Sequence, residues 1–264
     1  MNDQWLDRKA LITVKAYPNP SKKYQETVCV AAITREEGWV RLYPINFRSL
    51  SENQSFKKYQ FIQLRMQRHT NDPRPESFRP DESSIQLLNV LGTENKWRKR
   101  REWIEPTLSN SMCEIQRDRI SYNKSIGAFR PKKVVDLIIE ETTTDWSGKQ
   151  SAALDQLMLF EKKNPKLQKI PFNFRFKYFC NDDGCKGHNQ SILDWEIREL
   201  YRKIQIKTSD PDQIKTKIRA KYLDEICGKA KDTYFFVGNH SQYPKTFMLL
   251  GVFWPPSEKQ KTLF

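Results

Sequence analysis

The residues best placed to do chemistry are Cys180-Asn181-Asp182-Asp183-Gly184-Cys185-Lys186-Gly187-His188. Two thiols separated by four residues, with a histidine three positions further on, can converge on one ion if the loop between them turns back. Gly184 and Gly187 supply that freedom. Zinc takes thiolate and imidazole donors in a tetrahedron, so Cys180, Cys185 and His188 are three candidate ligands and a fourth is missing. Cys227 and His240 are the remote candidates for it, with Asp194 as a carboxylate alternative. A fourth protein donor makes such a site structural, whereas water in that position makes it catalytic. Without metal, Cys180 simply ends a buried strand and the rest is an ordinary turn.

Asp194-Trp195-Glu196 follows close behind. Carboxylates near a histidine invite a metal-dependent hydrolase or nuclease reading, because phosphodiester cleavage uses clustered carboxylates to hold metal ions. Helix geometry opposes it, since positions two apart lie on roughly opposite sides. Capping explains Asp194 better: with Ser191 as N-cap, it falls in the first turn, where negative charge complements the helix dipole.

A second kind of chemistry is binding to a phosphate chain. The run Lys96-Trp97-Arg98-Lys99-Arg100-Arg101 combines cations that neutralise phosphates with a ring that stacks on an unpaired base. The alternative is a solvated helix anchored by its tryptophans. Trp39, Arg41 and Tyr43 alternate along one strand and form an aromatic–arginine–aromatic row, opposite Val40 and Leu42. Either that row is a stacking surface or its rings belong to a core. Arg198 and Arg202, one helical turn apart, make a third small patch, while Lys215, Lys217, Arg219 and Lys221 spread around their helix.

Bulk composition points the same way. The chain has 264 residues with a net charge of +14, 30% charged and 12% aromatic residues. A field of that sign favours polyanions, and the aromatic share is too high for a disordered chain. No apolar run approaches the length of a bilayer span, and the acidic, polar opening Met1-Asn2-Asp3-Gln4-Trp5 is unlike a signal peptide. Five cysteines, an odd number and mostly scattered, fit a reducing compartment, so the expected location is the cytoplasm, with nucleic acid as partner and no membrane. There is no phosphate-binding loop, dinucleotide fingerprint, nucleophile elbow or HExxH, and no catalytic residue is assigned.

The elements that must position these groups are mostly strands. Ala10 to Lys15, Thr27 to Ile33, Trp39 to Tyr43, Tyr59 to Met66 and Ile85 to Leu91 read as five short strands. A helical break after the third gives the order of an OB-like barrel. Helices are expected near Asn95 to Trp103, with Trp97 and Ile104 one heptad apart, near Met112 to Arg119, and at Ala152 to Lys162. Val134 to Glu140 and Pro171 to Cys180 return to strand, the latter with a period-two row of Phe172, Phe174, Phe176 and Tyr178. Two helices follow, from about Ser191 and from Pro211 to Gly228, and then two closing strands, Thr233 to Gly238 and Thr246 to Phe253.

The expected fold is α+β and β-rich, with two small OB-like β-barrel units. These are an N-terminal barrel over 1–92, a basic helical connector over 93–130, and a C-terminal barrel-like unit over 131–264 that carries two helices and the Cys–Cys–His turn. Three stretches carry a resemblance: Gly38-Trp39-Val40-Arg41-Leu42-Tyr43-Pro44; Cys185-Lys186-Gly187-His188 leading into Asp194-Trp195-Glu196; and Gly238-Asn239 followed by Pro244, Phe247 and Gly251. Together they resemble bacterial proteins that carry two OB-like barrels in one chain. The resemblance implies nucleic-acid binding within mobile-element or anti-phage defence systems, and it transfers no catalytic residue. The functional expectation is a non-catalytic nucleic-acid-binding protein working beside a partner enzyme; the alternative is a metal-dependent hydrolase using the Cys–Cys–His site.

Overall fold

The computed structural model describes residues 4–18, 20, 26–160 and 167–258, with 156–160 as backbone alone. In chain order the elements are β1 (Leu6–Lys15), β2 (Val28–Thr34), β3 (Gly38–Ile45), β4 (Gln60–Arg68), β5 (Ser77–Pro80), β6 (Gln86–Val90), α1 (Glu94–Ile104), β7 (Leu108–Ser109), α2 (Met112–Tyr122), β8 (Ile126–Phe129) and β9 (Pro131–Glu141). They continue with α3 (Gly148–Phe160), β10 (Phe172–Cys180), β11 (His188–Ser191), α4 (Trp195–Gln205), α5 (Pro211–Arg219), β12 (Tyr234–Asn239) and β13 (Phe247–Phe253). The fold is α+β and β-rich. It divides into two units, 1–90 with 140–173 and 91–139 with 174–264. Residues 93–130 thus group with the second unit. Of the helix expected over 152–162, Glu161 and Lys162 lie outside the described residues.

The first unit is a closed five-strand barrel, in the order β1-β2-β3-β5-β4 and back to β1, with β6 added to β4. The apolar runs explain it. Ala10 to Val14 on β1 and Val30 to Ile33 on β2 are buried throughout, and closure lets such strands satisfy every ladder bond without leaving an edge in water. A single 3-10 turn, Phe47–Ser49, breaks the chain after β3. The β2–β3 hairpin turns at Gly38, whose φ of +69° is open to glycine at little cost. The strand that closes the barrel is β5, parallel to β3 and antiparallel to β4. It went unseen in the sequence, because four residues ending in Pro80 and preceded by Pro73 and Pro75 carry no alternation.

Before β5, Arg74 pairs with Asp72 at 2.6 Å. Burial alone would raise the Asp72 carboxyl, but hydrogen bonds from Arg74 and Ser77, with the Arg74 charge, outweigh it and hold it at about 2. A carboxyl depressed in the folded state stabilises above its unfolded value near 4, and that contribution is lost as pH falls from about 4 to about 2. Asp72→Asn is therefore expected to lower stability by about 1–2 kcal/mol at neutral pH and to flatten the acid limb below pH 4. Urea midpoints measured across pH check this, and parallel acid limbs in the two proteins would refute it.

The second unit has a four-stranded sheet, β13-β12-β8-β7, and a three-stranded sheet, β11-β10-β9. Their apolar faces meet through rings. On β10, Phe172, Phe174, Phe176 and Tyr178 all face inward, as their period of two requires. Phe176 stacks on Phe235 with centroids 5.2 Å apart, and Tyr178 meets Phe235 edge-on at 5.3 Å. Such pairs add about 0.5–1.5 kcal/mol beyond the area they bury. Helix α2 opens on a variant of the capping box: the N-cap Ser111 Oγ accepts from Glu114 N at 2.9 Å, while Glu114 Oε2 reaches one residue past the cap and accepts from Asn110 N at 2.5 Å. Helix α4 starts later than its sequence indicates. Asp194, not Ser191, is the N-cap, and it accepts from Glu196 N at 3.0 Å. No helix among the described residues is long and apolar enough to cross a membrane.

Candidate metal centre and cationic surface

Cys180, Cys185 and His188 do converge, and a fourth donor joins them from elsewhere. It is Cys113, in the first turn of α2. The four ligand atoms all lie within 4.8 Å of one another. Cys180 Sγ stands 3.5 Å from Cys113 Sγ and 3.3 Å from His188 Nε2, and Cys113 Sγ is 3.6 Å from the same nitrogen. Around a tetrahedral zinc, with Zn–S about 2.3 Å and Zn–N about 2.05 Å, ligand atoms fall about 3.6–3.8 Å apart. Cys113, Cys180 and His188 thus already stand at nearly the edges of that tetrahedron, with Cys185 within 4.8 Å of each. They are far outside the disulfide length of about 2.05 Å, and all five cysteines are free thiols.

Each donor has a structural reason to be there. Cys180 ends β10 and points inward after Tyr178. His188 opens β11 opposite Tyr178 and stacks on its ring, with centroids 5.0 Å apart. Burial holds the His188 imidazole below its ordinary range despite the nearby Asp182, which keeps the ring in its neutral, ligating form. Burial would raise the Cys185 thiol, but the N–H groups of Cys180 and Gly187 outweigh it and lower the value. The Cys113 thiol is pushed up to about 12 by burial and by the neighbouring thiols Cys180 and Cys185. A divalent ion reverses that preference by stabilising thiolate. Asp182 ties the loop to α2: it pairs with Arg117 at 2.8 Å, accepts from Ser111 Oγ at 3.4 Å, and takes Gly184 N on its other oxygen at 3.1 Å.

The fourth-ligand candidates drawn from the sequence are corrected. Asp194 caps α4, the half-buried Cys227 lies outside the cluster, and His240 accepts from Gln242 N at 3.2 Å and packs on Tyr243. Cys113 is far from the others in sequence, so no ligand spacing reveals it. The one local hint is its place just after Ser111, at a helix N-terminus, where backbone dipoles favour thiolate.

The strand-borne nucleic-acid residues are also corrected. Trp39 is 8% and Arg41 3% exposed, so neither can receive a base or a phosphate. Both faces of β3 are covered, and Arg41 reaches Ser77 Oγ at 3.3 Å. Tyr43 is half-buried, with its hydroxyl 3.4 Å from Thr27 Oγ1. In the basic run, Arg101 is buried and forms an ion pair with Asp232 at 3.0 Å. Arg100 donates to the Leu91 carbonyl at 2.6 and 2.9 Å. Arg98 pairs with Glu102 on the surface, and Lys96 and Lys99 are exposed. Arg198 and Arg202 are half-buried, and Arg202 pairs with Glu199.

Trp97 does not share a helical face with Ile104. Asn95, Lys96 and Trp97 have φ of 49°, 53° and 64°, a left-handed turn before the regular part of α1. Non-glycine residues adopt it at about 1–2 kcal/mol each. The turn carries the Trp97 ring onto Trp254, with centroids 5.2 Å apart, and onto Phe253 at 5.7 Å. Cations then gather on this pair. The Arg100 guanidinium lies 4.9 Å from the Trp97 ring, and the Lys221 and Lys231 ammonium groups lie 4.6 and 5.0 Å from Trp254. Trp254 and Lys231 were not among the sequence candidates, and Lys221 was read only as one of the cations spread around its helix. They come from three separate segments and join only in the fold.

A family model described as a domain of unknown function, DUF8757, matches residues 108–264, more than half of the chain. The chain belongs to the DUF8757 family. All four donors of the candidate metal centre fall inside the DUF8757 match. A second model, also a domain of unknown function (DUF8758), matches residues 7–106, which include the barrel strands. No curated protein matches the chain. Among solved structures, one titled as a murine DNA binding protein bound with ds DNA aligns over 98% of this chain and 99% of that one. Its identity is 10% and its TM-score 0.30, too loose a superposition to bear on fold or ligand.

Proposed function

We propose that this DUF8757 protein binds nucleic acid on the cationic surface around Trp97 and Trp254, and that a structural zinc ion at Cys113, Cys180, Cys185 and His188 holds the second unit together. The binding reading rests on the convergence of Arg100, Lys221 and Lys231 on one tryptophan pair, flanked by exposed Lys96 and Lys99, in a chain of net charge +14. Cations gathered over flat rings suit a polymer that is both anionic and aromatic. The resemblance to two-barrel bacterial proteins, with its link to defence or mobile-element systems, supports the same reading, as does the closed barrel of the first unit.

The donor set favours a structural metal over a catalytic one. Four protein donors leave no position on a tetrahedral zinc for an activated water, and the Asp194 carboxylate of the hydrolase alternative serves as a helix cap. The chemistry such an ion supplies is a cross-link between α2 and the β10–β11 turn.

Fluorescence anisotropy with labelled oligonucleotides at about 50 mM salt tests the binding reading. Binding is expected, and Lys99→Glu combined with Lys231→Glu is expected to weaken it by about tenfold or more. Lys99 is exposed, Lys231 is half-buried over Trp254, and an unchanged melting temperature establishes that the variant is folded. Absence of binding by the unsubstituted protein at low salt overturns the proposal.

A further inference from the structure

The outward face of β10 forms a second cationic and aromatic row that the sequence candidates did not include. While Phe174, Phe176 and Tyr178 point into the core, the alternate residues Arg175, Lys177 and Phe179 lie on the other face, where Arg175 is half-buried with its Nε enclosed. Lys177 is exposed, and Phe179 is 41% exposed, a large ring left in water on a strand whose other rings are packed. Strand β11 continues this face. Its exposed Ser191 and Asn189 lie directly opposite Arg175 and Lys177, and opposed residues in an antiparallel pair share a face. None of these five residues carries a carboxylate; β9, on the other side of β10, adds the exposed Lys132 and Lys133 along with Asp136, which Arg219 pairs at 2.7 Å, and Glu140 and Glu141. Successive outward positions stand about 6.8 Å apart, from a rise of about 3.4 Å per residue.

The Phe179 ring also has a prepared seat. Gly187 lies beneath it with φ of +91°, and a Cβ there would meet Phe179 Cε1 at 3.3 Å and Cζ at 3.5 Å. Glycine thus serves twice, admitting the left-handed backbone and letting the ring lie over the loop. That loop is the one bearing Cys185 and His188, and Phe179 precedes Cys180. An ion bound by those donors fixes both the floor and the strand that carry the exposed ring.

We infer that the β10–β11 face, with Lys177 for phosphate and Phe179 for a base, is a single-strand-binding surface whose shape is set by the neighbouring metal centre. This rests on the nucleic-acid reading above. Charge complementarity selects an anionic partner, and the exposed ring selects one with unpaired bases, since bases in a duplex already stack on each other.

The test compares single- and double-stranded probes on the zinc-loaded full chain. Anisotropy is measured with labelled oligo(dT) and with a duplex of the same length, for the unsubstituted protein, Lys177→Glu and Phe179→Leu. The leucine keeps apolar contact with Gly187 but offers no flat ring, and unchanged zinc content and melting temperature establish that each variant is folded. The expected result is a loss of about tenfold for oligo(dT) in Phe179→Leu, with less than about twofold for the duplex, and a loss for oligo(dT) in Lys177→Glu. Unchanged oligo(dT) affinity in both variants, or equal losses on both probes in Phe179→Leu, overturns this inference and leaves the nucleic-acid reading standing. Failure of the unsubstituted protein to bind either probe overturns both.

Discussion

Cys113→Ser is expected to strip the protein of zinc and to destabilise its second unit by more than about 3 kcal/mol. Cys113 is the donor that joins α2 to the β10–β11 turn, and without it the remaining three donors sit within nine consecutive residues. The binding free energy of a structural zinc is folding free energy, on the order of 10–16 kcal/mol in small zinc domains. Here an aromatic core contributes independently, so the unit should loosen but not unfold outright. Elemental analysis after gel filtration should give one zinc per unsubstituted chain and close to none in the variant, with a lower melting temperature. Cys227→Ser is the control. Burial pushes that thiol up to about 12, it takes no part in the cluster, and its replacement should leave the zinc content unchanged. A Cys113→Ser protein that retained a full zinc complement would remove Cys113 from the site.

Asp232→Ala is expected to cost about 3–5 kcal/mol, because it takes from the buried Arg101 guanidinium the more deeply buried of its two close counter-charges and frees Arg130 as well. Arg101 is 5% exposed, and its Nη2 donates to Asp232 Oδ2 at 3.0 Å and to the Pro256 carbonyl at 2.8 Å, while Nη1 donates to Glu105 Oε1 at 2.6 Å. Arg130 holds the other Asp232 oxygen at 2.5 Å, and Tyr234 donates to Glu105 at 2.9 Å. Burial would raise the Asp232 carboxyl, but Arg101, the Glu258 N–H and the Arg130 charge lower it. The network fastens α1 to the segment before β12 and to the chain after β13. Urea denaturation measures the loss. The double variant Arg101→Met with Asp232→Leu should recover much of it, since replacing both charges removes the stranded cation. Near-additive losses would show that the pair does not act as a unit. The same burial separates Arg101 from its neighbours in the basic run: its substitution should unfold the unit, whereas Lys99→Glu should leave stability within about 0.5 kcal/mol.

What could be read from the sequence divides along a physical line. Local periodicity was legible: the alternating rings of Phe172 to Tyr178 became β10, Pro211 became the first residue of α5, and the strands read over Thr27 to Ile33 and Trp39 to Tyr43 became β2 and β3. Three of the four donors were legible for the same reason, as they share one turn. Closure and convergence were not. Nothing local marks Ser77–Pro80 as the strand that completes a barrel, or marks Arg41 as buried once both faces of β3 are covered. Cys113, Lys221, Lys231 and Trp254 reach their partners through long-range packing that no spacing encodes. Trp97 was misplaced by assuming a regular helix, because a left-handed turn at 95–97 is not indicated by the residues that adopt it.

The salt dependence of oligonucleotide binding tests the functional account most directly. In a plot of log affinity against log salt, the zinc-loaded chain should give a slope of about −2 or steeper, as three or more phosphates are neutralised. The Lys99→Glu, Lys231→Glu protein should lose about 1.5 units of that slope with its zinc content and melting temperature unchanged. A flat line for the unsubstituted chain, or the same slope in both proteins, would contradict nucleic-acid binding at the Trp97–Trp254 surface.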